Sequence, residues 1–405
     1  MGSELPLEGV RVIDLSSAAV GPVATRYLAD YGATVVKVES SVHPDILRIS
    51  TPYAGGQAHP DRSGYFALFN AGKLSIALNL RTAAGREVAL RLVAWADILV
   101  ETFTPGVMAT WGLDYESLKA VKPDLIMLSH SLQGQTGPRA PLRGPGVLVS
   151  ALGGWMELTG PPQGEPLAPF SAYGDFAAWS FTLIAILAAL DHRRRTGQGI
   201  HIDQSQMESA LQLAIPALLD GALGGCQCSR IGNRDANAAP HGCYPCLGED
   251  RWCAIAVTSD EEWQALCQAL GRPGLGRERR FSTLASRKAH EEELDSIVEA
   301  WTTGRTPEEV MARLQAAGVP AGLVATSQDL MADPQLRERG FFTLLQHPLI
   351  GPYRCPASPF KLSATPGVPQ GPSPLVGQHT ECVLRELLRL SDEEIAAYAA
   401  QGAFE

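Results

Sequence analysis

A chain of 405 residues, 45% apolar and 19% charged, can bury a large core in two domains or in one large domain with an insertion. Its net charge of −10 comes without a dense basic stripe, which argues against nucleic acid as the main partner. Eight cysteines in a chain this long do not read as a disulfide framework, and no basic stretch leads into an apolar one near residue 1, so a cytoplasmic location is expected.

Strand and helix signals alternate from the start. Residues 9–15 (GVRVIDL) form a short β-branched run, and 22–31 read as a helix ended by Gly32. Residues 34–39 (TVVKVE) and 73–80 (KLSIALNL) read as the second and third strands. An amphipathic helix over 82–95 follows, then strands at 97–101 and 125–129. This alternation predicts parallel βαβ units, and so an α/β, doubly wound, Rossmann-like large domain. Ligands in such sheets bind beyond the carboxyl ends of the strands, here 16–22, 39–41, 101–106 and 129–134. No GxGxxG, Walker A, GxSxG or HExxH sequence is present.

Further along, Tyr173-Gly-Asp175 precedes a charge-free apolar run, 176–190, with basic residues 193–195 at its far end. The run is short for a membrane span and contains Ser180 and Thr182, so a buried core helix is expected. Asp175 suits the cap or first turn of that helix. The same place also suits a reactive carboxylate, kept anionic by the helix terminus and poorly hydrated beside an apolar wall. The arginines complement the negative end of the helix dipole.

From about 221 the texture changes. A loose glycine-containing segment leads to a strand at 251–257 and a helix at 260–270 with a capping-box start at Ser259. Helical patterns run to about 317, and 318–324 reads as another strand, giving a smaller α+β domain. Residues 348–374 are rich in Pro and Gly and read as an extended surface strap, followed by helices at 382–390 and 391–401. Cys226, Cys228, Cys243, Cys246 and His241 can be drawn as a metal site, but one pair is Cys-x-Cys and no comparable cluster follows, so no metal is expected.

Taken together, the blocks resemble the class III CoA-transferases, a family that also contains formyl-CoA transferase, carnitine CoA-transferase and α-methylacyl-CoA racemase. The resemblance rests on LEGVRVIDL at 7–15, Gly21-Pro22, LADYGA at 28–33, VKVE at 36–39, NAGK at 70–73 and FTPG at 103–106. It continues through GQTGP at 134–138, Gly174-Asp175, RTGQG at 195–199, AGVPAG at 317–322, Asp333-Pro334 and GQHT at 377–380, covering nearly the whole chain.

The resemblance implies that Asp175 is a covalent acyl carrier, passing through an aspartyl anhydride and an aspartyl-CoA thioester. It implies an interlocked dimer, with a large domain of 1–220, a small domain of 221–325, and a strap and return over 326–405. Coenzyme A is expected, as an acyl-CoA substrate, near Ser17, Ala18, Ala19, Lys37, Asn70, Lys73, Thr102, Phe103 and Arg143. The donor is expected to be succinyl-CoA and the acceptor a mono- or dicarboxylic acid, whose free carboxylate needs a cation or N–H nest. Arg48 and His130 are candidates for that role, although His130 also suits a satisfied core position.

Some positions depart from the family pattern. Ser40 and Ala109-Thr110 stand where arginines are common, leaving Arg48, Arg139, Arg143 or a partner chain to supply charge. The expected partner is a second copy or a related chain, and the thinned cation set points to a heteromer with a related chain, as in the malate or benzylsuccinate transferases. At 144–147 the sequence GPGV replaces the histidine region that moves protons in the racemases. Two alternatives stay open: a 2-methylacyl-CoA racemase, and a non-catalytic CoA-binding subunit.

Overall fold

Six short runs of mostly Val, Ile and Leu assemble into one parallel sheet. The computed structural model describes residues 5–169, 172–224 and 229–404. The strands are β1 (Arg11–Leu15), β2 (Thr34–Glu39), β3 (Leu74–Ala77), β4 (Ile98–Glu101), β5 (Ile126–Ser131) and β6 (Ile200–Ser205), in the order β3-β2-β1-β4-β5-β6. Register places Val12 against Val35 on one side and Ile98 on the other. β1 to β5 are buried on both faces, which is why they read as near-continuous apolar runs. β6 (IHIDQS) escaped the sequence reading because it is an edge strand, largely open to solvent, in which only Ile200 and Ile202 are apolar.

Helices on this sheet are α1 (Val20–Asp30), α2 (Ala83–Trp95), α3 (Val147–Leu152), α4 (Tyr173–Thr196) and α5 (Gln206–Leu211). One core layer joins Ile13, Val36, Ile76 and Leu99 to α2; the opposite layer joins Val12, Val35, Ile98 and Ile126 to Leu28 of α1 and Ile186 of α4. Strand order reverses between β1 and β4, so their carboxyl ends part there and leave a crevice.

α4 corrects one expectation. It is long and apolar enough to cross a membrane by length and composition, yet only 33% of its apolar window is buried. Ala177, Ala178, Thr182, Ile186 and Ala189 face the protein, while Ile184 and Leu187 are exposed. Composition alone cannot tell a helix buried all round from one that buries a single face.

The chain divides into two compact units. The first comprises Met1–Trp155, Ala168–Cys226 and Gln335–Glu405; the second comprises Met156–Leu167 and Gln227–Pro334. Segment 156–167, expected in the large domain, belongs to the second unit. Gly232 donates its amide to Gly160 O at 3.0 Å and Arg230 pairs with Glu157 at 2.8 Å, contacts between residues far apart in sequence. The second unit holds a three-stranded antiparallel sheet, β7 (His241–Pro245), β8 (Trp252–Ala256) and β9 (Ala321–Leu323), and helices that include α6 (Asp260–Ala269), α7 (Glu291–Thr302) and α8 (Pro307–Ala316). Trp263, Phe281, Leu294 and Val310 centre its core.

In the first unit the segment read as an extended strap, 348–374, begins with β11 (Gly351–Pro356), which forms a hairpin with β10 (Phe342–His347) before it. Beyond it the chain is fixed by Pro372 O to the Gly72 amide (3.2 Å), Pro374 O to Arg48 (3.1 Å) and the Val376 amide to Asp61 (3.0 Å).

Candidate functional site

The crevice is shaped by the turn after β1. Ser17 donates its amide to Thr102 Oγ1 (2.9 Å), tying this turn to the one after β4. Ala18 has a φ of 64°, in the left-handed region that side chains disfavour. Asp45 holds it there: one carboxylate oxygen accepts from the Ala18 amide (3.1 Å), the Ser17 hydroxyl (3.1 Å) and the Leu47 amide (3.0 Å). Strain of this kind persists only where surroundings impose it, and it concentrates at functional sites. α1 then starts without a side-chain cap.

A cavity of about 730 Å³ opens here, lined by Ser17 to Val20, Thr102, His130 to Leu132, Gly144 to Val147, Asp175 and Gln206, with Ile46 and Leu47 among the apolar wall. Asp175 lies in the first turn of α4, as the third helical residue; Ala172 precedes the helix and makes no side-chain cap. The carboxylate therefore does not cap its own helix. Gln206 Nε2, at the start of α5, donates to Asp175 Oδ1. Burial raises the pKa of Asp175 and the Gln206 hydrogen bond opposes that rise. Gly146 lies so close to the carboxylate that a Cβ there would collide with it. The group is thus part-buried, held by one donor and open to a cavity, a suitable setting for a nucleophilic carboxylate.

A second cavity, about 370 Å³, lies beyond β1 to β4 and shares Ser17 with the first. Its walls include Lys37, Val38, His43, Leu78, Arg81, Phe103 and Trp111, the last two packed edge to face at 5.2 Å. Arg81 follows β3 and was missed, although the strand-end rule points to that position. Asp45 and Gln206 were also missed, because each acts through a partner distant in sequence.

The expected ligand residues separate into two groups. Ser17, Ala18, Ala19, Thr102 and His130 line the cavity with Asp175, and Lys37 and Phe103 line the second cavity. Arg143 is exposed beside Gly144 and lines neither.

Asn70, Lys73 and Arg48 need correction: each is fully or almost fully buried and spent on internal partners. Lys73 Nζ donates to Asp14 (2.8 Å), Pro22 O (2.9 Å) and Asn70 Oδ1 (2.7 Å). Burial pulls the Lys73 ammonium down to about 8 against the attraction of Asp14. Burial also opposes charge on Asp14, but Lys73 and Lys37 hold that carboxyl well below the usual range. The Lys37 ammonium, although beside a cavity, pairs with Asp45 (3.1 Å) and donates to Ser16 O (2.8 Å). Arg48 makes a bidentate pair with Glu39 (2.7 Å each), bonds Asp61 (2.6 Å) and stacks on Phe66 at 3.5 Å. These side chains hold the crevice together, and the donors of Lys73 and Arg48 are taken up by internal acceptors.

His130 fits the core position better than the carboxylate-binding one. It is 3% exposed and packs beside Gln204 and Gln206. Burial pushes the imidazole down to about 4, and hydrogen bonding to Gln204 and Gln206 opposes that fall. The ring is therefore neutral near pH 7 and is no cation for a carboxylate. Among the described residues no cluster of three or more His, Cys, Asp or Glu side chains could hold a metal; Cys226 and Cys228 lie outside the described residues.

Residues 7–380 match the sequence model of CoA-transferase family III. The chain is 34% identical over 98% of its length to a succinyl-CoA–D-citramalate CoA-transferase of Chloroflexus aurantiacus, covering 97% of that protein. It is 33% identical over 94% of its length to a succinate–glutarate CoA-transferase of Agrobacterium fabrum, covering 96% of it. A solved structure of a CaiB/BaiF family protein from Brucella suis superposes with a TM-score of 0.87 at 33% identity, over 95% of this chain and 100% of that one.

Proposed function

The chain belongs to CoA-transferase family III and is an enzyme that transfers coenzyme A; on that premise we propose that it moves CoA from succinyl-CoA to a second carboxylic acid through covalent intermediates on Asp175. The observation that carries this reading is Asp175 itself, a part-buried carboxylate facing a cavity between the strand ends, with Gln206 as donor.

Each step exchanges one activated carbonyl for another. A carboxylate oxygen of Asp175 attacks the donor's thioester carbon; the C–S bond breaks, leaving an acyl-aspartyl anhydride and CoA thiolate. The thiolate attacks the aspartyl carbonyl and the donor acid leaves as its carboxylate. The acceptor carboxylate then attacks the aspartyl thioester, again releasing thiolate, which finally attacks the acceptor's carbonyl and frees Asp175. No water or net proton is consumed, so the activation is kept while water is excluded. The apolar wall of Ile46, Leu47, Leu132 and Val147 serves that need. Because Ser17 lines both cavities, the reading puts the nucleotide of acyl-CoA beside Phe103, Trp111 and Arg81 and its thioester at Asp175. Segment 144–147 offers no proton-transferring side chain, which disfavours racemisation. The same reading includes an interlocked dimer, in which a second chain covers the exposed apolar residues Ile184, Leu187, Leu218 and Leu219.

Incubation with succinyl-CoA followed by hydroxylamine or borohydride trapping should leave a modification on the peptide containing Asp175, seen by mass spectrometry. An unmodified Asp175 in turning-over enzyme would move the chemistry elsewhere. The pH profile gives an independent check. Only the ionised carboxylate is nucleophilic, so activity is lost as pH falls through the raised pKa of Asp175. The acid limb of kcat/KM should therefore lie above the value of an exposed aspartate, about 3.9. In Gln206→Leu, which removes the bond favouring the ionised form, the limb should move to higher pH.

A further inference from the structure

We propose that Gln206 is a catalytic residue, whose amide N–H stabilises the oxyanion formed on Asp175 Oδ1 in the two steps that attack the aspartyl carbonyl. This rests on the covalent reading of Asp175 and goes beyond it by giving the two carboxylate oxygens different work.

Gln206 opens α5 directly after β6, and the chain is pinned on both sides of it. Ser205 pairs in register with Ser131 of β5, and its hydroxyl accepts from the Glu208 amide (3.2 Å). The Met207 amide donates to Leu132 O (3.1 Å). Gln206 is itself only 4% exposed, so its side chain is held where the fold puts it. Its Nε2 meets Asp175 Oδ1 and is the one side-chain donor that this carboxylate has among the described residues. Oδ1 is also the carboxylate oxygen nearest to the Cβ position of Gly146. Enclosed by backbone and by the amide, Oδ1 is the fixed oxygen, and Oδ2 is the one left to attack the donor.

That division fixes what Gln206 can do. When Oδ2 bonds to the donor's carbonyl carbon, the C–S bond breaks and CoA leaves as thiolate. Cγ of Asp175 is then an acyl carbon, and Oδ1 is its carbonyl oxygen, still facing Nε2. The thiolate attacks Cγ, a C–S bond forms, and an electron pair moves onto Oδ1. Collapse of that oxyanion breaks the Cγ–Oδ2 bond, and the donor acid leaves as its carboxylate. The acceptor carboxylate attacks Cγ next, again placing charge on Oδ1, and the thiolate departs. An N–H donor binds an oxyanion more strongly than a carbonyl oxygen, so the bond strengthens in these transition states. The first step instead draws charge away from Oδ1 and gains nothing from the donor. Among the described residues lining the cavity there is no lysine or arginine to take the part of Gln206.

Gln206→Met keeps the length of the side chain and removes the donor. Rapid-quench mass spectrometry after mixing with succinyl-CoA alone, well above the acid limb, follows formation of the CoA–enzyme thioester. The variant should form it about 10²-fold more slowly, or slower still. Hydroxylamine intercepts the preceding anhydride as succinyl hydroxamate and so reports the first step, which should keep at least its wild-type rate. Thioester formation at the wild-type rate overturns the proposal. Equal loss of both signals also overturns it, because Gln206 would then only position the carboxylate. Infrared spectroscopy of the wild-type thioester, with ¹³C in the aspartate carboxyl groups, decides even if the variant fails to fold. Its carbonyl should absorb at lower wavenumber than an alkyl thioester in an apolar solvent, and an unshifted band overturns the proposal. Wild-type enzyme that turns over without any covalent species loses the Asp175 reading itself, whereas enzyme that forms the thioester without help from Gln206 loses this inference alone.

Discussion

Asp175→Asn is expected to lower kcat/KM for CoA transfer by about 10³-fold or more, with the fold intact. The substitution keeps the size of the side chain and an oxygen able to accept from Gln206, so neither the first turn of α4 nor the cavity wall needs to move. What it removes is the anionic oxygen that attacks the thioester. Simple proximity of acyl-CoA and acceptor does not replace that function, because a free carboxylate attacking the thioester directly would have to lose its solvation and find its alignment in a single bimolecular step. The measurement is steady-state transfer from succinyl-CoA, accompanied by the melting temperature and by CoA binding. Full transfer by Asp175→Asn would recast the chain as a CoA-binding subunit serving an active partner.

Arg48→Met is expected to destabilise the first unit by about 3–5 kcal/mol, read as a fall in the midpoint of urea unfolding. Arg48 is wholly buried, and its guanidinium joins Glu39 on β2, Asp61, Pro374 O of the C-terminal segment and the face of Phe66. Without it the Glu39 carboxylate, also buried, keeps among the described residues the hydroxyl donor of Ser75. A buried charge deprived of its partner costs far more than the pair itself contributes, so Arg48→Met combined with Glu39→Gln should recover part of the loss. A residue that binds substrate would respond differently: its removal would raise KM for the acid and leave the unfolding midpoint in place.

The two expectations mark where charge in this sequence acts as chemistry and where it acts as scaffold. Lys37 lies within β2, Lys73 just before β3 and Arg48 beyond the carboxyl end of β2, all close to the region where a phosphate or carboxylate ligand is sought in an open α/β sheet. The structure turns all three inward, and each meets an aspartate or glutamate: Asp45, Asp14 and Glu39. The crevice walls are thus built from ion pairs, while the cavity beside Asp175 has uncharged, largely apolar sides apart from that carboxylate. Arg81 lines the second cavity.

Much of this protein is determined by its sequence alone. β1 to β5 are legible because strands buried on both faces must be apolar along their length, and the βα alternation then leaves little choice of topology. The family is legible because many short motifs recur in order across the chain, Gly174-Asp175 among them. Tertiary structure decides what depends on a partner distant in the chain. An edge strand such as β6 carries no apolar run, since half of it faces water. Segment 156–167 joins the second unit through contacts with residues 230–232 that no local pattern announces. The sequence shows the charge on Lys73 and Arg48 but not the carboxylates that neutralise it. It also cannot show that His130 is buried and neutral, because a side chain's protonation and hydrogen bonding belong to its surroundings, and those exist only once the chain has folded.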